Sequence, residues 1–126
     1  MSIATLRERY SYNRWANDRL MGVAVGLSEG ELDRAFDIGP GSLRRTLKHI
    51  YGAERIWYQR MQAPGHEAFP RSRDLGSMRE LGIAAGRLAD ARLDWLESLD
   101  EADLDRQASY AAADGQARAV SLRRWI

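Results

Sequence analysis

Residues 47–61, with the sequence LKHIYGAERIWYQRM, indicate the fold most clearly. Their apolar side chains recur at the spacing of an amphipathic helix, which places them on one face. That face comprises Leu47, Ile50, Trp57, Tyr58 and Met61. Glu54 lies in the middle of the same face, and His49 lies at its edge. An acid in this position costs free energy if it is buried without a partner, so the stretch predicts either a polar network or a site.

The rest of the chain predicts two more long helices, so the fold class is all-α. Apolar residues at helical spacing predict helices over residues 2–26, 43–61 and 75–99, the second of them capped by Ser42. Ser28 and Glu31 form a capping-box pattern, which predicts a short helical turn. Asp114 and Gly115 predict the turn of a small β-hairpin. Ser121 is then expected to cap a fourth helix, which stops five residues later.

Composition favours a soluble cytoplasmic protein of a single domain, residues 1–126. The chain has 19 basic and 18 acidic residues and a net charge of +1, which gives no strong field for nucleic acid or an anionic membrane. It has no cysteine, so disulfides and a thiol nucleophile are excluded. No apolar run approaches the roughly 20 residues that span a bilayer, and the first residues do not resemble a signal peptide.

Four polar residues lie on faces that are otherwise apolar. Asn13 and Asn17 lie in the first long helix, Glu54 in the second and Arg92 in the third. One interpretation is structural: the two amides hydrogen-bond the carboxylate and the guanidinium balances its charge. The other is a polar ligand pocket inside a helical bundle. The two interpretations are compatible, and the sequence leaves both open.

The two histidines are weaker indications of a functional site. His49 stands roughly 140° from Glu54 around the helix, so one metal ion cannot easily bind both side chains. A single histidine at such an edge is more often a packed or surface residue than a ligand. His66 lies in a glycine-containing loop and is expected to be solvated. The chain shows no phosphate-binding loop and no serine–histidine–acid arrangement, so no catalytic residue is predicted.

Several motifs together resemble the DinB/YfiT-like family of helical-bundle proteins. They are YNRWANDRL at 12–20, DIGPGSLRRTLKHIYGAERIWYQRM at 37–61, ADARLDWLESLDEADLDR at 89–106, and the hairpin that leads into VSL at 120–122. The resemblance implies an up-down four-helix bundle, often dimeric, with a divalent metal such as nickel or zinc between the helices. It also implies a transferase or isomerase that uses a low-molecular-weight thiol, such as bacillithiol or mycothiol, on a small-molecule substrate or electrophile.

In the family the metal ligands are three histidines. One lies in a setting that matches His49, Ile50, Glu54 and Trp57, which makes His49 the metal-ligand candidate by resemblance. The other two form a pair one turn apart in the fourth helix. Here that helix is represented only by SLRRWI at 121–126, so the domain is expected to be C-terminally incomplete and to bind metal weakly unless a partner chain completes the site.

Two functional hypotheses follow from these observations. The first is a metal-dependent transferase or isomerase of the family type. The second is a non-catalytic helical domain that acts through homodimerisation or partner binding, because three helices leave an apolar trough uncovered.

Overall fold

The computed structural model describes residues 1–62 and 69–124 and shows a mostly helical chain. The helices are α1 (Ile3–Val25), α2 (Glu29–Asp33), α3 (Leu43–Met61) and α4 (Met78–Ser98). A two-stranded hairpin of β1 (Gln107–Ala111) and β2 (Ala117–Ser121) follows. Single 3-10 turns occur at Ser72–Asp74, Ala102–Asp105 and Leu122–Arg124. The three long helices, the short turn and the hairpin are therefore confirmed, whereas the up-down four-helix type stays a prediction.

A serine hydroxyl begins each helix by accepting a hydrogen bond from a backbone N–H of the first turn. Ser2, Ser42 and Ser77 cap the three long helices, with oxygen–nitrogen distances of 3.1 to 3.2 Å. Ser28 caps α2 and forms the predicted capping box with Glu31. These hydroxyls satisfy donors that have no partner inside the helix, so the local sequence fixes where each helix starts.

Two predicted boundaries near the C-terminal half are wrong. The third long helix begins at Met78, not Leu75, because Ser77 caps it and residues Ser72–Asp74 form a turn of their own. Ser121 does not cap a fourth helix: it is the last residue of β2, and the described chain continues as one 3-10 turn. The strand pairing of Ser121 with Gln107 takes precedence over its capping tendency.

Helix α4 lies at the centre of the arrangement and packs against both α1 and α3. One apolar cluster fills the space where α3 meets α4, and its fully buried members include Leu81 and Leu88. A second cluster lies at the end of the molecule where α1 begins and α3 ends. It joins Ile3, Leu6, Met61, Leu96, Leu99, Leu104, Ala108 and Leu122. The turn and hairpin after α4 therefore close this end of the helices.

Helices α1 and α3 approach α4 more closely than they approach each other, which leaves a groove between them. This α1–α3 groove is lined by Tyr10, Asn13, Asn17, Leu20, Ile50, Ala53, Glu54 and Trp57. The broad apolar face predicted for the first helix is accordingly only partly buried. Leu20 is 49% exposed and Val23 is 66% exposed. Helix α4 covers one side of that face, and no described helix covers the other.

Within the described residues, no helix is both long enough and apolar enough to cross a membrane.

Candidate functional site

The four predicted polar residues do come together, and Glu54 is at their centre. Its Oε1 accepts hydrogen bonds from Asn13 Nδ2 at 2.8 Å and from Asn17 Nδ2 at 3.1 Å. Asn13 and Asn17 are four residues apart, so both amides project from the same face of α1 towards α3. Two neutral donors thus stabilise one oxygen of a half-buried carboxylate.

Arg92 approaches the other oxygen of the carboxylate from α4. Its Nη1 lies 3.5 Å from Glu54 Oε2, and the residue is only 3% exposed. The guanidinium carbon is 4.3 Å from the centre of the Tyr10 ring, within the range of a cation–π interaction. Among the described residues, Arg92 Nε has no hydrogen-bond partner. The cation is therefore held by a carboxylate and an aromatic face, and one of its donors is unused.

Tyr10 also belongs to this cluster, because its ring packs against the Arg92 guanidinium. Burial raises the pKa of Tyr10 above its ordinary value of 10.0; the nearby Arg92 lowers it, and Glu54 raises it. The sequence contains an indication of this position, because Tyr10 precedes Asn13 by three residues and so shares its face of the helix. We name the five residues Tyr10, Asn13, Asn17, Glu54 and Arg92 the polar cluster.

The raised pKa of Tyr10 predicts a loss of stability in alkali. The unfolded chain releases the phenolic proton near pH 10 while the folded chain retains it, so stability is complete below that pH and falls above it. We expect the urea midpoint to fall between about pH 9 and pH 11 and the fall to be smaller in Tyr10→Phe. Tyr12→Phe is the control, since Tyr12 is 67% exposed. An alkaline fall of equal size in Tyr10→Phe and the wild type would contradict this account.

The polar cluster lies between two openings of the α1–α3 groove. On one side is a small apolar recess of about 20 Å³, lined by Leu20, Met21, Ile50 and other apolar residues as well as Glu54. On the other is an open cleft of about 280 Å³, lined by Tyr10, Asn13, Ala53, Glu54, Trp57, Met61 and Arg92. The carboxylate is thus the floor of a groove and is not sealed within a core; its side chain remains 20% exposed.

His49 is not part of the polar cluster. It is exposed and lines a separate open cleft of about 360 Å³ on the outer side of α3. The other residues of this cleft are Lys48, Gly52, Ala53, Ile56, Trp57, Arg60 and Ser72. The structure therefore confirms the geometric argument that His49 and Glu54 project in different directions from the same helix. The other histidine of the sequence, His66, lies outside the described residues.

One comparison with known proteins identifies the family to which the chain belongs. The family model of the DinB superfamily matches residues 12–126 of the chain. The protein belongs to the DinB superfamily. No curated protein and no solved structure matches it.

The divalent metal implied for DinB-superfamily proteins does not fit the residues that surround His49 here. In the described ranges, 1–62 and 69–124, no group of three or more histidine, cysteine, aspartate or glutamate side chains lies close enough to hold an ion. A protein metal site commonly supplies at least three such ligands. Moreover, the charged residues that line the His49 cleft are Lys48 and Arg60, which repel a cation.

One feature near this DinB-superfamily histidine was not anticipated from the sequence. The Arg60 guanidinium lies 4.7 Å from the Trp57 ring centre and 4.5 Å from that of Tyr110 in β1. The two rings themselves stand edge to face, with centres 5.6 Å apart. Tyr110 and Arg60 are distant in sequence, so only the docking of the hairpin against α3 brings them together.

Proposed function

We propose that this DinB-superfamily chain works by association, and that two copies pack together through their α1–α3 grooves. The observation that carries the proposal is the uncovered apolar surface along α1. Leu20 lines the groove, and Tyr12 and Val23 continue the exposed apolar surface on the outer side of the same helix. Contiguous apolar surface of this kind usually marks an interface.

A second copy is the occupant that this surface fits. Each copy carries a groove that no helix of the described residues covers. The wall of that groove is a helix with an exposed apolar stripe. A two-fold axis places the stripe of each copy in the groove of the other, as an isologous interface requires. Ala53 is a small residue on the wall of the groove and leaves room for a helix to approach.

The polar cluster provides specific polar contacts at the centre of such an interface. Glu54 is already paired with two amides and Arg92, so its charge is compensated before a second helix arrives. The remaining donors and acceptors of the two asparagines are available for hydrogen bonds across the interface. A compensated carboxylate is tolerated at an interface, whereas an unpaired one is not.

The test is the mass of the chain in solution. We expect light scattering at micromolar concentration to give twice the 14.3 kDa chain mass. Leu20→Glu places a charge in the groove of each copy, and we expect it to raise the dissociation constant at least about a hundredfold because two unpaired charges become buried.

Ile83→Glu is the matched control for this experiment. Ile83 is 55% exposed and lies on α4, where it lines a different cleft with Phe69 and Leu75. This variant is expected to remain dimeric. A wild-type chain that is monomeric throughout the micromolar range would refute the proposal, and so would a Leu20→Glu variant that dimerises as tightly as the wild type.

The metal-dependent transferase or isomerase of the family type is not the function that the described geometry favours. The reason is the donor set: the described residues form no group of three or more candidate metal ligands, and two cationic side chains line the cleft beside His49. We therefore assign no catalytic step to this histidine.

A further inference from the structure

We infer that the cleft on the outer side of α3, where His49 lies, binds a small organic oxyanion, that is, a phosphate- or carboxylate-bearing molecule with an adjoining apolar portion. This inference does not depend on dimerisation through the α1–α3 groove. The cleft opens away from the polar cluster, and Ala53 and Trp57 separate the two.

The charge of α3 is the first observation. Residues 43–61 contain five lysine and arginine residues and a single acid, Glu54, although the whole chain has a net charge of only +1. Glu54 projects to the other side of the helix and is paired with Arg92. Arg44 is paired with Glu29 and Asp33 of α2, but the outer side of α3 keeps a net positive charge from its other basic residues, which favours an anion.

The lining of the cleft is the second observation. Three of its residues, Lys48, His49 and Arg60, carry nitrogen donors, Ser72 adds a hydroxyl, and none of the lining residues is an acid. Within the part of the chain that the structure describes, no hydrogen bond or ion pair engages Lys48 or His49. Arg44, one turn before Lys48, is by contrast paired with Asp33 and Glu29. Lys48 is close enough to Asp33 to help lower the pKa of that carboxyl, and together with His49 and Arg60 it lines the open cleft.

The placement of Arg60 is the third observation. Its guanidinium carbon packs against the rings of both Trp57 and Tyr110, at 4.7 and 4.5 Å from their centres. This contact restricts a side chain that otherwise loses considerable entropy when it is ordered by a ligand. The ring contacts do not use the N–H donors of the guanidinium, whose planar arrangement suits oxyanions. Arg60 is thus preorganised for an anion.

The size and walls of the cleft indicate what the oxyanion is attached to. The volume of about 360 Å³ exceeds that of a bare phosphate and is within the range of small-molecule pockets. Ile56 and Trp57 are each 40% exposed and form an apolar wall beside the cations. Gly52 leaves the floor of the cleft open, because a Cβ there would occupy the space beside Ser72 Oγ, 3.5 Å away. A ligand with an anionic head and an apolar body fits this arrangement.

The test uses three probes, inorganic phosphate, phenyl phosphate and benzoate, in titrations of the full chain followed by two-dimensional NMR. We expect saturable shifts at residues that line the cleft, with phenyl phosphate binding more tightly than inorganic phosphate because of the apolar wall. Comparison of phenyl phosphate with benzoate distinguishes a phosphate ligand from a carboxylate ligand. We expect the affinity to fall as salt is added.

Three variants test whether the binding of the probes depends on the residues of this cleft. Lys48→Gln and Arg60→Gln are each expected to weaken phenyl phosphate binding about tenfold, the effect of removing one charge-assisted hydrogen bond. Arg79→Gln removes one exposed positive charge from α4, outside the cleft, and is expected to leave binding unchanged. Should Arg60→Gln disturb the fold, Lys48→Gln still decides the question, because among the described residues Lys48 acts on Asp33 only through a weak electrostatic interaction and Arg44 remains the main partner of that carboxylate.

Two results of the titrations with anion probes would overturn the inference. The first is no saturable shift with any probe up to the solubility limit. The second is equal weakening by Arg79→Gln and Lys48→Gln, which would mean attraction to overall charge alone. A parallel titration with Zn²⁺ tests the alternative that the cleft binds a cation. Binding of one ion per chain that is lost in His49→Ala would show a family-type metal site with further ligands from elsewhere, and would also overturn the inference.

Discussion

Replacing Glu54 by alanine is expected to lower the free energy of unfolding by about 3 kcal/mol, since breaking a buried ion pair on one side leaves a buried charge uncompensated. Arg92 is 3% exposed and already has an unused Nε, so it has little access to water once the carboxylate is gone. Asn13 and Asn17 also lose their acceptor. Because the Glu54 side chain is 20% exposed, solvent compensates part of the loss, and the estimate stays at the lower end of the usual range.

The measurement is urea unfolding followed by circular dichroism, with Glu97→Ala as the control. Glu97 lies 3.7 Å from Arg7 with its side chain 70% exposed, so its removal should cost less than about 1 kcal/mol. The double variant Glu54→Leu/Arg92→Met should recover most of the loss, because it removes both charges and fills the space with apolar atoms. Equal effects of Glu54→Ala and Glu97→Ala would show that the polar cluster has no stabilising role.

Leu88→Ala is expected to destabilise the protein by a similar amount, about 3 to 4 kcal/mol, by a different mechanism. Leu88 is fully buried in the apolar cluster where α3 packs on α4. Truncation removes buried methyl groups and leaves a cavity in the middle of the core, where the three long helices restrict relaxation.

The same unfolding measurement on Ile83→Ala gives the comparison for Leu88. Ile83 lies on the same helix but is 55% exposed, and its truncation should change the free energy of unfolding by about 0.5 kcal/mol or less. If Leu88→Ala cost no more than Ile83→Ala, α4 would not be the central helix of the core as described.

The helices and four residues of the polar cluster, all but Tyr10, could be predicted from the sequence because they rest on local periodicity. Asn13 and Asn17 recur one turn apart, and Glu54 interrupts an apolar face in the same way, so each residue could be assigned to the inner side of its helix before the helices were assembled. The pairing between them then follows from the cost of burying any of them alone.

The remaining features depend on contacts between segments that are distant in the sequence. Arg60 is ordered by Tyr110, which belongs to a hairpin whose docking position no pattern in α3 encodes. The exposure of Leu20 and Val23 has the same origin: periodicity identifies the apolar face of α1 but not how much of it α4 covers. The strand that ends at Ser121 prevails over a plausible helix cap because its ladder partner, Gln107, lies 14 residues earlier.

The contact of both Asn13 and Asn17 with one oxygen of Glu54 has a consequence for how α1 and α3 are aligned along their axes. If α1 slid past α3 by one helical turn, about 5.4 Å, Asn17 could replace Asn13, but Met21 would then stand where Asn17 had been. A rotation by a single residue would turn both amides away and leave the carboxylate facing apolar side chains. Apolar packing alone tolerates such shifts with modest loss. The Glu54 carboxylate therefore selects one alignment of the two helices among several of similar packing energy. A single buried asparagine selects the register of a coiled coil in the same way.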